Sequence, residues 1–219
     1  MNVKLYSYKG DKNIGIFFRA SDKYLLAPLD ADLKDVDKIL DVEVVRIKIW
    51  DSPLIGLFTC MNSYGIILPK ILFEEELKVF KSLGLNVLQL DSTFTAIGNL
   101  IVCNDKAAIV SPLIERENLK EIENTLNVEV IQRKIAKRNL VGSIAYATNN
   151  GIALYRDISE EEFNEIKEIF KVKNANIATV NKGSVYISSG IIANSKGLIV
   201  GEETTPIEIH SLQEAFGFI

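Results

Sequence analysis

The chain is poor in the side chains that carry most metal and redox chemistry: its 219 residues include one histidine, His210, and two cysteines, Cys60 and Cys103. Neither cysteine has a second Cys or a His at ligand spacing, which argues against a zinc site. Two cysteines are also too few for a disulfide framework, so both read as small buried hydrophobes. No metal or cofactor is therefore expected. Long apolar runs are missing as well, since stretches such as Gly65 to Pro69 are strand-length and far short of the ~18 residues a membrane span requires. Met1 to Lys9 is polar and charged throughout, without an apolar core before a small-residue cleavage site, so no secretory signal is expected. These absences lead us to expect a cytoplasmic protein with no membrane contact. Proline is sparse, and no Pro-, Gly- or Ser-rich linker breaks the sequence. An excess of positive charge is lacking too: the net charge is −4 and the pI about 5.2. The surface as a whole cannot gather the counterion-release energy that non-specific nucleic-acid binders use. Any contact with RNA must be local.

What is present is a globular composition, 47% hydrophobic and 25% charged, organised by an internal repeat. One pattern returns five times. It opens with Gly or Ser, runs through a short apolar stretch to a polar turn, and leaves through a second apolar stretch that often ends in Pro. The openings are Gly15, Gly56, Gly98, Gly142 and Ser188, separated by 41, 42, 44 and 46 residues. The turns centre on Ser21-Asp22-Lys23, Asn62-Ser63, Asn104-Asp105-Lys106, Asn149 and Asn194-Ser195-Lys196. Residues of these types tolerate tight hairpin geometry, so each unit is expected to start with two antiparallel strands.

A helical stretch follows, most plainly at Leu119, Ile122 and Leu126 and at Phe163, Ile166 and Phe170, where apolar residues recur at three- and four-residue intervals. Ser159 with Glu162, and Thr205 with Glu208 behind Pro206, carry the signature of a capping box. A β-branched run closes each unit, as in 42–49, 86–90, 128–131 and 176–180. The fifth unit ends soon after its helix, and the N-terminal run Val3 to Tyr8 is placed to supply its missing strand. Such ββαβ units cannot bury their own apolar faces and need neighbours on both sides. The expected fold is α/β: a single domain over residues 1–219 in which five units close a ring, an α/β propeller with pseudo-fivefold symmetry.

With the repeat in view, longer strings become recognisable. Thr95-Ala96-Ile97-Gly98-Asn99 with Asn104-Asp105-Lys106-Ala107-Ala108 resembles the third repeat of the translation initiation factor six family. Val141-Gly142-Ser143 with Ala147-Thr148-Asn149 resembles the fourth, and Thr179-Val180-Asn181, Gly183-Ser184, Ser189-Gly190, Ala193-Asn194-Ser195-Lys196-Gly197 and Val200-Gly201-Glu202-Glu203-Thr204-Thr205 resemble the fifth. The resemblance spans essentially the whole chain in order. It implies a pentein fold and a non-enzymatic role as a ribosome anti-association factor, which binds the large ribosomal subunit and blocks joining of the small one. A part in large-subunit maturation is implied as well. The implied partners are a ribosomal protein next to the sarcin-ricin loop, ribosomal RNA, and a release GTPase with its own partner; the protein itself is expected to be a monomer. By the same resemblance the docking face carries Leu57, Asn99, Ser143, Ile144 and Ser189. Departures favour an archaeal form. Leu57 stands where eukaryotic members often have a basic residue, and no phosphorylatable tail follows the fifth unit. Other departures, Pro206 directly after Thr205 and Lys182 in place of a common aromatic, leave open a divergent paralogue with a different docking partner.

Each of these residues also has a plainer reading. Asn99 after Gly98 suits an amide that caps a turn, and Leu57 and Ile144 suit ordinary strand positions. Lys134, Lys137 and Arg138 form a small basic cluster that suits either RNA phosphate or solvent, while Glu160 to Glu162 suit a helix N-terminus. Two rival functions remain. One is an enzyme of the same fold that modifies guanidino groups through a nucleophilic Cys and a general acid/base His. That chemistry needs the two to meet, and His210 lies on the last helix while the last unit has no Cys. The other is a paralogous protein-interaction ring with no ribosomal role.

Overall fold

The structure, a computed structural model, describes residues 3–219. After β1 (Val3–Tyr6), unit one contains α1 (Ile14–Phe17), β2 (Arg19–Ala20), β3 (Tyr24–Ala27), α2 (Val36–Leu40) and β4 (Glu43–Arg46). Unit two contains α3 (Ile55–Phe58), β5 (Cys60–Met61), β6 (Gly65–Pro69), α4 (Glu74–Ser82) and β7 (Asn86–Leu90). Unit three contains α5 (Ile97–Leu100), β8 (Ile101–Cys103), β9 (Ala107–Val110), α6 (Leu119–Leu126) and β10 (Glu129–Gln132). Unit four contains α7 (Val141–Ile144), β11 (Ala145–Ala147), β12 (Gly151–Leu154), α8 (Glu160–Ile169) and β13 (Asn174–Ile177). Unit five has a 3-10 turn (Ile187–Gly190), β14 (Ile191–Ala193), β15 (Leu198–Gly201) and α9 (Pro206–Phe216).

Among the described residues the strands form five three-stranded sheets, one per unit. In each, the hairpin is antiparallel and the third strand joins in parallel; in the first four units it follows the helix, as for β6 with β7 at Gly65↔Asn86. The fifth sheet takes its third strand from the start of the chain: β1 runs parallel to β15 with Val3 opposite Leu198 and Tyr6 opposite Gly201. Without β1 the middle strand β15 would present unpaired backbone groups along an open edge. No sheet closes into a barrel, so the units are held to one another through side-chain cores and turns.

Those cores are shared in cyclic order. The first unit's cluster around Ile14, Leu25 and Leu40 takes in Ile192 and Ile199 of the fifth. The second takes in Leu26 and Val45 of the first, the third Cys60 and Ile67 of the second, the fourth Val102 and Ile109 of the third, and the fifth Tyr146 and Ala153 of the fourth. Asparagine amides stitch three of the seams. Asn62 Nδ2 donates to Leu126 O at 2.8 Å, Asn104 Nδ2 to Phe170 O at 3.1 Å, and Asn194 Nδ2 to Leu40 O at 2.8 Å, each across to the next unit's helix. Burial makes these bonds costly to lose, because the freed carbonyl has no water to turn to.

Three expectations need correction. The openings, read as the start of a strand, form a single helical turn first, which begins one residue earlier at Ile14, Ile55, Ile97, Val141 and Ile187, all fully buried. The closing strand of unit four is β13 at Asn174–Ile177, two residues ahead of 176–180, because the parallel register with β12 sets Asn174 opposite Gly151. The capping box at Ser159 is half made: Ser159 Oγ accepts from Glu162 N–H, but the Glu162 carboxylate turns away to Ala136 N–H and Arg133. At Thr205 the box is complete, with Pro206 in the first turn.

The openings themselves bring the backbones of neighbouring units into close approach. A Cβ at Gly56 would overlap the carbonyl oxygens of Gly15 and Phe18, one at Gly98 that of Gly56, one at Gly142 that of Gly98, and one at Gly15 that of Ser188. Replacing Gly56 with Ala should therefore lower stability by about 1–3 kcal/mol or more, since backbone cannot move aside as a side chain can; the shift of the urea midpoint measures it.

The seat of β1 should respond to pH. Tyr6 is buried and its hydroxyl donates to Asp32 O at 2.8 Å. Burial first, and the Asp32 carboxylate second, push its phenol up to about 12 from 10.0. With the folded value above the unfolded one, this contribution is whole below pH 10 and is lost as pH rises towards 12. Urea midpoints taken across that range should fall in the native protein and fall less in Tyr6→Phe.

Candidate docking face

Each opening turn is entered through a residue with backbone angles near φ −80°, ψ +60°, as at Leu54, Ala96 and Leu140. The next amide bonds back two residues: Ile55 N–H to Pro53 O, Ile97 N–H to Thr95 O and Val141 N–H to Asn139 O. This is an inverse γ-turn, which turns the chain sharply without a polar cap. Just upstream lie tight turns with left-handed residues, Trp50 and Asp51, Ala136 and Lys137, Asn181 and Lys182. A glutamate from the first turn of the same unit's helix holds each one. Glu76 accepts from Trp50 N–H at 2.9 Å and Asp51 N–H at 3.1 Å, Glu162 from Ala136 N–H at 3.1 Å, and Glu208 from Gly183 N–H at 2.7 Å. Backbone amides together with the neighbouring threonines outweigh burial and keep the Glu208 carboxylate below its usual range. The acidic first turns thus fasten the loops that carry the openings.

The residues that follow the openings, Ile16, Leu57, Asn99, Ser143 and Ser189, meet around one depression of about 350 Å³. Leu140 and Tyr186, 41% and 50% exposed, stand on its rim. Four of the five residues expected on the docking face are therefore brought together: Leu57, Asn99, Ser143 and Ser189. Ile144 is not. Its side chain is 1% exposed and packs into the core with Val102 and Ile109, because the helical turn points its fourth residue inward. Asn99 sits inside α5 and does not cap it; α5 has no side-chain cap bond at all. Of the basic cluster, Arg138 is committed within the chain, donating to the Tyr155 hydroxyl at 2.8 Å and lying over its ring. Ile16 was legible from the repeat register as the counterpart of Leu57. Leu140 and Tyr186 lie outside the repeated string, and no sequence signal marks them as exposed.

Below the depression the axis narrows. Arg19, Cys60, Cys103 and Tyr146 line a space of about 20 Å³. At the far end the five hairpin turns meet around a polar knot. Asn149 Nδ2 donates to Asp22 at 2.8 Å and to Asp105 at 2.6 Å, Ser195 Oγ donates to Asp22, and Ser63 N–H donates to Asp105.

The sequence profile of the eIF-6 family matches residues 3–215. The chain belongs to the eIF-6 family. Among its relatives, the translation initiation factor 6 of Pyrobaculum arsenaticum is 38% identical over 95% of this chain and 96% of its own. Those of Staphylothermus marinus and Methanocaldococcus jannaschii are 40% and 37% identical over 95% and 100% of this chain, and 95% and 99% of their own. Membership of the eIF-6 family places the chain among translation initiation factors.

The side chains an enzyme of the rival class would use are arranged otherwise. The thiols of Cys60 and Cys103 are neighbours, with Sγ atoms 3.2 Å apart. The hydrogen bond to Cys60, together with burial, pushes the Cys103 thiol well up. His210 is on the outer side of α9, within ion-pair reach of Glu214 at 3.6 Å with 64% of its side chain exposed. A shared thiol proton in a space too small for reagents predicts slow chemistry. In the folded protein at neutral pH a water-soluble maleimide should label Cys103 at least a hundredfold more slowly than in the urea-unfolded chain, as read by intact mass.

Proposed function

We propose that this chain is a ribosome anti-association factor: it binds the large ribosomal subunit through the face carrying the opening turns and keeps the small subunit from joining. The observation that carries the reading is the family match over residues 3–215, combined with the gathering of Leu57, Asn99, Ser143 and Ser189 around one surface depression. Exposed apolar groups at Tyr186 and Leu140 give this face an apolar rim, and the partly exposed Asn99 amide beside them can both donate and accept towards a partner. The partner we infer is a ribosomal protein next to the sarcin-ricin loop, with RNA phosphate touched at the edge. Release by a GTPase and its partner, a part in large-subunit maturation, monomeric state and cytoplasmic location belong to the same reading.

The fold that goes with it is a single pentein domain, a closed ring of five units. Cyclic sharing of cores, the fifth with the first included, supports closure, as do contacts of α1 with α3, α3 with α5, α5 with α7, α7 with the 3-10 turn of unit five, and that turn with α1. An enzymatic role fits less well, because His210 and the two thiols stand in different settings.

Asn99→Arg tests the docking face, since it adds bulk and charge at a partly exposed turn without entering the core. Unaltered protein should co-sediment with isolated large subunits in a sucrose gradient and inhibit their joining to small subunits. Asn99→Arg should weaken both by tenfold or more while its circular dichroism and melting stay native. Loss of folding would make Asn99 a structural residue, and absence of co-sedimentation by the unaltered protein would end the ribosomal reading.

A further inference from the structure

The repeat register exposes one anomaly. The first residue of the inner hairpin strand in unit one, Arg19, pairs with Leu26; its counterparts by the same pairing are Cys60 with Ile67, Val102 with Ile109, Tyr146 with Ala153 and Ile192 with Ile199. Four units place an uncharged residue at this layer of the axis. One places a guanidinium there, where it lines both the narrow axial space and the depression above it.

Nothing in the described residues neutralises that charge. Its one hydrogen bond within the chain runs from Nη2 to Gly56 O at 2.7 Å, and its Nε is buried with no partner. No carboxylate lines the depression. The nearest acidic groups along the axis, Asp22 and Asp105, are engaged at the other end by Asn149, Ser195 and Ser63. A partly buried cation with a buried, unpartnered Nε and no counter-charge still has donors to offer, and a guanidinium presents a planar fork that matches an oxyanion. Above it, Ser143 offers a hydroxyl, while the Ser188 and Ser189 hydroxyls donate to Ser143 O and Tyr186 O, and Ile16, Leu57 and Tyr186 offer apolar wall. The volume, about 350 Å³, is at the small end of ligand pockets.

We propose that the axial depression is a binding site for a small organic anion, whose carboxylate or phosphate group is received by Arg19 while its apolar body lies against Leu57 and Tyr186. This does not depend on the ribosomal reading, and either can fail without the other. The experiment uses the full chain at low ionic strength with three probes of similar shape: benzoate, phenyl phosphate and benzyl alcohol. Binding is followed by the Arg19 Nε–Hε signal in NMR and by calorimetry. The expected result is saturable movement of that signal with one or both anions, none with the alcohol, and at least a tenfold loss of affinity in Arg19→Leu, with Arg19→Lys between the two. A tighter fit of phenyl phosphate assigns phosphate as the natural group; a tighter fit of benzoate assigns carboxylate. Failure of both anions to move the signal in the native protein overturns the proposal even if Arg19→Leu does not fold. So does equal binding of the alcohol, or undiminished anion affinity in a folded Arg19→Leu.

Discussion

Backbone contact between consecutive opening turns is the constraint on which the rest of the molecule depends. Where Gly56 meets Gly15 O and Gly98 meets Gly56 O, a side chain has no room. This approach draws the inner hairpins together, so that each unit's apolar residues fall within reach of the next unit's core. It also sets the five residues after the openings side by side at one mouth. At the fifth position Ser188 is tolerated, with its hydroxyl directed to Ser143 O at 3.4 Å.

The axis built in this way has two unlike ends. At the mouth of the opening turns the side chains are apolar or carry hydroxyl and amide groups, with Arg19 beneath as the only charge in the lining. At the hairpin end Asp22 and Asp105 are locked into hydrogen bonds that join turns from different units. Satisfied polar groups of this kind bind the units together and leave little to offer a partner. The mouth, with its exposed rim at Leu140 and Tyr186, keeps that capacity.

Much of this order was legible in the residues. The spacing of the openings, the turn residues, the apolar faces of α6 and α8 and the strand 86–90 all appear where local chemistry predicts them. The donation of β1 to the fifth sheet followed from counting strands. Less legible were features in which one local pattern serves two ends. Glu162 has the spacing of a capping partner yet satisfies the Ala136 amide, and Ile144 follows Ser143 in the string expected on the docking face yet points into the core. Cys60 and Cys103 looked solitary because 43 residues separate them, although equivalent strands bring their sulfurs together.

The sequence by itself determined the number of units, their internal order of strand, strand, helix and strand, and the family, because these follow from short-range periodicity and from strings that recur at a fixed spacing. Tertiary structure alone decided which face each opening residue occupies, which side chains line the axis, and that Arg19 lacks a counter-charge there. Those properties arise where five distant segments converge, and burial or exposure at such a point depends on all five at once.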